Sequence, residues 1–184
     1  MERYGTMRTV FVVTMLAGAA WAQERPAATR LGEPVEDFAV TPSTGEAFRL
    51  QSLRRTAEEP GKIVVLTFWC TTCGSCRRIE REFEIEAKEY AGKGVEYFMV
   101  DSNGADGAEV VNRFLAEQDL DVRVLLDGSG EIARWFGARL TTTTAVIDPE
   151  GRLRYYGGFG GAEDAVKNLL EGQDVALPEK RGFG

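Results

Sequence analysis

Histidine is absent from the 184 residues of this chain. That excludes Ser-His-Asp triads, Cys-His proteases, and haem, zinc or copper sites that need an imidazole. Positive charge is in deficit, with 22 Lys and Arg against 29 Asp and Glu and a net charge of -7. An acidic chain gains nothing from phosphates, which argues against a nucleic-acid partner. Cysteine is scarce: there are three, and all lie within "TFWCTTCGSCRRIE". Three clustered thiols cannot staple a fold. A chain of this length buries a sizeable core without staples. No apolar run reaches the length of a transmembrane helix, and no internal repeat is visible.

What is present begins with "MRTVFVVTMLAGAAWAQE". A basic start at Arg8, an apolar core from Val10 to Ala20 and an Ala20-Trp21-Ala22 site read as a cleavable signal peptide over residues 1–22. An uncleaved anchor is the alternative. Cleavage would leave no stable membrane span and place the protein in the periplasm or outside the cell. Residues 23–33 read as a flexible linker, 34–171 as one domain and 172–184 as a polar tail.

Within the domain, "VEDFAVTPSTGEAFRL" predicts a hairpin turning at Thr44-Gly45, followed by a helical turn at "QSLRR". "KIVVLTFW" (Lys62 to Trp69) is continuously β-branched and aromatic, as in a strand buried on both faces. From Cys73 to Tyr90, Ile79, Phe83, Ala87 and Tyr90 recur at helical spacing, and the charges of Arg81 to Glu89 form the solvated side. Strands follow at Val95 to Ser102 and in "VRVLLD", with helices at Asp106 to Glu117 and in "SGEIARWFG". A hairpin, Thr143 to Ile147 and Arg152 to Tyr156, turns at Asp148 to Gly151. A last helix runs from Ala162 to Leu170. Alternating strands and helices imply parallel crossovers, and the late hairpin adds antiparallel strands. The fold class is α/β: a central mixed sheet flanked by helices, with an N-terminal hairpin extension.

Cys70, Cys73 and Cys76 make two overlapping C-x-x-C pairs that share Cys73. Cys73 lies where the buried strand has ended and the helix is expected to begin. Unpaired N–H groups and the positive end of the helix dipole would favour its thiolate there, and Arg77 and Arg78 add cationic charge. Cys76, three residues on, is within disulfide reach. Cys73 would attack a disulfide and Cys76 would resolve the mixed disulfide. Cys70 packs as a small residue at the strand end or joins the exchange as a third thiol. Trp69 and Phe68 read as core or pocket wall.

"FWCTTCGSCR" resembles the "FWAxWCGPCR" of thioredoxin-fold proteins, especially the exported TlpA-like and AhpC/TSA (redoxin) group. "LGEPVEDFAV" with "GEAFRLQSLR", and "TTTTAVIDPEGRLRYYGG", resemble that group's opening and closing segments, so the likeness spans nearly all of the mature chain. The resemblance implies a thioredoxin-like fold and thiol–disulfide oxidoreductase activity on protein thiols and disulfides. It also implies a redox partner, no cofactor and no metal, with Cys73 as nucleophile and Cys76 as resolving thiol. Four positions depart from the pattern. Gly74-Ser75 replaces Gly-Pro, and Thr72 replaces a Trp. Ile79 stands where TlpA-like proteins often carry an acid, with Glu80 next. Thr142 stands at the cis-proline position facing the cysteines, where a non-proline cis bond would cost about 3–4 kcal/mol, so a trans bond is expected. Two other functions remain open at this point. One is a peroxiredoxin-like peroxidase, suggested by Thr67 three residues before Cys70. The other is a metal or iron–sulfur module held by all three cysteines.

Overall fold

The strand Ile63–Trp69 (β3) is buried at every residue and organises the molecule. In the computed structural model, which describes residues 28–176 and 178–180, it sits in a six-stranded sheet. Its parallel neighbour is Val95–Asp101 (β4), which pairs on its far side with Val124–Leu126 (β5). Its antiparallel neighbour is Thr143–Ile147 (β6), which turns into Leu153–Gly158 (β7). The hairpin Ala39–Val40 (β1) and Phe48–Arg49 (β2) forms a separate two-stranded sheet. This is the α/β, thioredoxin-like arrangement of a mixed sheet between helices. Part of the polar tail adds a short edge strand, Glu179–Lys180 (β8), parallel to β7. The signal segment 1–22 lies outside the described residues. No helix among the described residues is long and apolar enough to cross a membrane.

The alternation of side chains along β3 creates two cores. Ile63, Val65 and Trp69 face Glu80–Tyr90 (α1), Ala108–Glu117 (α2) and Ala162–Leu170 (α4), packing with Phe83, Val111 and Val166. Val64, Leu66 and Phe68 face the opposite way, toward Phe38 and Leu50 of the hairpin region and toward Glu131–Phe136 (α3). Gly137 closes α3 at a φ of +66°, a conformation open to glycine without steric cost.

Two sequence expectations change. The helix expected from Cys73 begins at Glu80, preceded by a single 3-10 turn at Cys76–Arg78. Gly74 and Ser75 are weak helix formers, and Arg77 and Arg78 oppose the positive end of a helix dipole. Glu80 and Glu82 match it, so the α-helix starts there. The charged side of α1 is also not wholly solvated, because Glu84 and Glu86 are buried. Glu84 bonds Lys88 and the Asp121 amide and pairs with Arg81, which hold its carboxyl down at about 2 despite its burial. Glu86 accepts a hydrogen bond from the Tyr97 hydroxyl at 3.2 Å, and burial pushes its carboxyl up to about 7.

Candidate functional site

The site forms where β3 ends. Antiparallel pairing of β3 with β6, in the register Thr67 to Thr144, brings the residues before β6 alongside the cysteine loop. The Thr142 amide donates to the Phe68 carbonyl at 2.7 Å, and the Thr142 carbonyl accepts from the Phe159 amide at 3.1 Å. These bonds hold Thr142 at a φ of +65°, a costly conformation for a β-branched residue, on the order of 1–3 kcal/mol. Among the described residues no peptide bond is cis, including the one at Thr142.

Cys73 is half-buried and Cys76 is buried; all three cysteines are reduced. The Cys73 sulfur receives the Cys76 main-chain N–H at 3.1 Å and lies 3.0 Å from the Thr141 hydroxyl. Burial alone would push the Cys73 thiol up. Hydrogen bonds from the Cys76 thiol, the Thr141 hydroxyl and the Cys76 and Ser75 main chain outweigh it, and its pKa ends below the ordinary thiol value. For Cys76, burial dominates, and serving as hydrogen-bond donor to Cys73 adds to it, so its thiol is pushed up to about 12. The two sulfurs are thus differentiated, but by main-chain and Thr141 donors at a loop and not by the dipole of α1, which begins at Glu80.

Thr141 is the site residue that sequence reasoning missed. The run "TTTT" drew attention to Thr142 as the cis-proline position, and only the register of β6 shows that its neighbour reaches Cys73. Thr141→Val keeps the shape and removes the hydroxyl. One hydrogen bond to a thiolate is worth about 1 kcal/mol or more, so alkylation of Cys73 by iodoacetamide at pH 7 is expected to slow about five-fold. The pH profile of that alkylation should move to higher pH; an unmoved profile would remove Thr141 from the site.

Arg77 is elsewhere than expected. Its guanidinium donates to Glu80 Oε1 at 2.8 Å and to the Thr71 carbonyl at 2.6 Å, and it stacks 4.0 Å over the Phe114 ring. Its charge serves Glu80 and the loop backbone. Glu80 is buried, and the same Oε1 accepts the Trp69 indole N–H at 2.8 Å. Trp69 is therefore a buried wall fixed by Glu80 and packed on Phe114, with ring centroids 5.4 Å apart. Thr72 is exposed at the family's Trp position.

Cys70 belongs to neither core. It lines a groove of about 200 Å³ with Phe68, Trp69, Leu140 and Thr141, and Leu140 is exposed at its rim. No group of three or more Cys, Asp, Glu or His among the described residues is arranged to hold a metal ion. The Thr67 hydroxyl, offered as a peroxidase echo, lies inside the sheet at 3.0 Å from the Thr144 hydroxyl.

A model of the AhpC/TSA family matches residues 31–156. The thiol-disulfide oxidoreductase ResA of Bacillus thuringiensis is 30% identical over 123 residues, covering 67% of this chain and 66% of that protein, just under two thirds of its length. Among solved structures, a hypothetical protein of Sinorhizobium meliloti superposes with a TM-score of 0.74 at 23% identity, covering 86% of this chain and 93% of that one, a likeness of fold. The pneumococcal exposed lipoprotein thioredoxin of Streptococcus pneumoniae superposes with a TM-score of 0.59 at 28% identity, covering 74% of this chain and 99% of that one. The match of the family model over more than half of the chain places it in the AhpC/TSA family.

Proposed function

We propose that the protein is an exported thiol–disulfide oxidoreductase that exchanges disulfides with protein substrates through Cys73 and Cys76. The observation that carries this reading is the setting of the Cys73 sulfur, half-buried beside a groove and held by a main-chain N–H at 3.1 Å and a hydroxyl at 3.0 Å. The Cys73 thiolate attacks a substrate disulfide, forming one S–S bond and expelling one substrate thiolate. Cys76 gives up its proton and attacks Cys73, expelling the second substrate thiolate and closing the Cys73–Cys76 bond. Two electrons pass from the dithiol to the substrate, and a redox partner must return them. The apolar groove wall beside Cys70 and Leu140 suits an unfolded or extended protein segment. Export rests on the signal-like segment 1–22.

The test is to supply the reduced protein with insulin and, separately, with hydrogen peroxide, using a thiol reductant to sustain turnover. Catalytic precipitation of the insulin B chain with little peroxide consumption is the expected result. Rapid peroxide consumption without insulin reduction would replace this reading with a peroxidase.

A further inference from the structure

We infer that Cys70 is a second resolving thiol for Cys73, so that this loop carries two alternative disulfides that share one nucleophile. The inference rests on the exchange reaction proposed above. It begins with the backbone: the Cys73 amide donates to the Cys70 carbonyl at 3.2 Å, closing a turn over Thr71 and Thr72. Residues i and i+3 of such a turn have Cα atoms less than about 7 Å apart, and disulfides span about 4.4–6.8 Å. The turn is also held firmly. The Thr71 amide and hydroxyl both donate to Asp106, at 3.1 and 2.7 Å, and the Thr71 carbonyl accepts from Arg77. Closure of Cys70 onto Cys73 therefore needs side-chain rotation and little backbone movement.

Position and access favour Cys70 as well. Cys70 and Thr141 line the same groove, and Thr141 touches the Cys73 sulfur. A mixed disulfide on Cys73 would face that groove. Cys76 approaches from the buried side, within the core that includes Phe83 and Trp69. Its thiol, pushed up to about 12, must lose a proton before it can attack. Cys70 is half-buried at the open side, with its sulfur 3.7 Å from the Thr72 hydroxyl. In the proposed step the Cys70 thiolate attacks Cys73 of the mixed disulfide. One S–S bond forms between Cys70 and Cys73, the bond to the substrate breaks, and the substrate leaves as a thiolate that takes up a proton. Electron balance is the same as for resolution by Cys76.

The experiment uses the full chain with Cys76→Ala, Cys70→Ala and the double substitution, each reduced and then exposed to oxidised glutathione. Intact mass separates an internal disulfide, which loses two hydrogens, from a retained glutathione. The Cys76→Ala protein is expected to end as the internal disulfide, and the double variant is expected to keep one glutathione on Cys73. If Cys76→Ala keeps glutathione as fully as the double variant does, Cys70 is not a resolving thiol. The otherwise native protein gives a check independent of any folding defect. At partial oxidation, alkylation of the one remaining thiol should label Cys76 in a measurable share of molecules, and labelling of Cys70 alone would overturn the inference. If the native protein takes up no glutathione and forms no disulfide, the exchange reading itself fails, which is a distinct result.

Discussion

Cys73→Ser is expected to lower insulin-disulfide turnover by about 10³-fold or more, to the background set by the reductant. A serine hydroxyl does not ionise near neutral pH, and its oxygen cannot form the S–S bond on which the exchange depends. The donors at this position, the Cys76 N–H and the Thr141 hydroxyl, would then hold a neutral hydroxyl in place of a thiolate. The fold should tolerate the change, because Cys73 is only half-buried and a hydroxyl can use the same partners. Unfolding by urea should shift little while activity disappears. Retention of turnover in Cys73→Ser would move the nucleophile to Cys70, the other accessible thiol, and would overturn the assignment of roles within the cluster.

Legibility in the sequence followed how local each cause was. The β3 run announced itself, because a strand covered on both faces needs an unbroken apolar stretch, and Ile63 to Trp69 supply one. The late hairpin was equally plain, since the turn at Asp148 to Gly151 carries its own chemistry: the Gly151 amide returns to the Asp148 carbonyl, at a φ of +81°. The start of α1 is less legible. Helical spacing is satisfied from Ile79 onward, and spacing alone does not register that Gly74, Ser75 and the two arginines disfavour an earlier start. Proximity in sequence points Arg77 at Cys73. Its destination depended on Glu80 being drawn inward by the Trp69 indole, a tertiary event. Thr141 depended on strand register, which no local pattern encodes. The acids at the carboxyl ends of β4 and β5 carry no local signal of burial. An Asp after a strand normally signals a turn, and only the packed structure reveals that Asp101 is 1% exposed.

That buried acid carries the largest expected effect on stability. Asp101 ends β4, in register with Trp69 on β3. Its Oδ1 accepts the Asn103 amide at 2.9 Å, and its Oδ2 is buried with no hydrogen-bond partner. Asp106 and Asp127 are its acidic neighbours. Asp106 is itself held by Thr71, and Asp127 by Ser102 and the first amides of α3. Burial pushes the Asp101 carboxyl up; the Asn103 amide opposes this, the two acids add to it, and it settles at about 7. A proton on Oδ2 would satisfy the orphan atom by donating to Asp106. In the unfolded chain the same carboxyl ionises near its ordinary value of 3.8. The folded state therefore binds the extra proton. Stability from this group is fully present below about pH 4, falls as pH rises toward 7 and is flat above that. The difference of about three pH units amounts to about 4 kcal/mol. Asp101→Asn keeps the Oδ1 acceptor and places a permanent N–H donor at the Oδ2 position. The variant is expected to come close to the native protein at pH 4 and to exceed it at pH 8 by as much as about 4 kcal/mol in urea unfolding under reducing conditions. For a chain of this size that is about 10 °C in Tm. Glu86, also raised to about 7, titrates in the same window in both proteins and cancels in the comparison. Equal stability of the two proteins at pH 8 would show that Asp101 ionises without cost, and that the loop clamp at Thr71 does not sit over a shared proton.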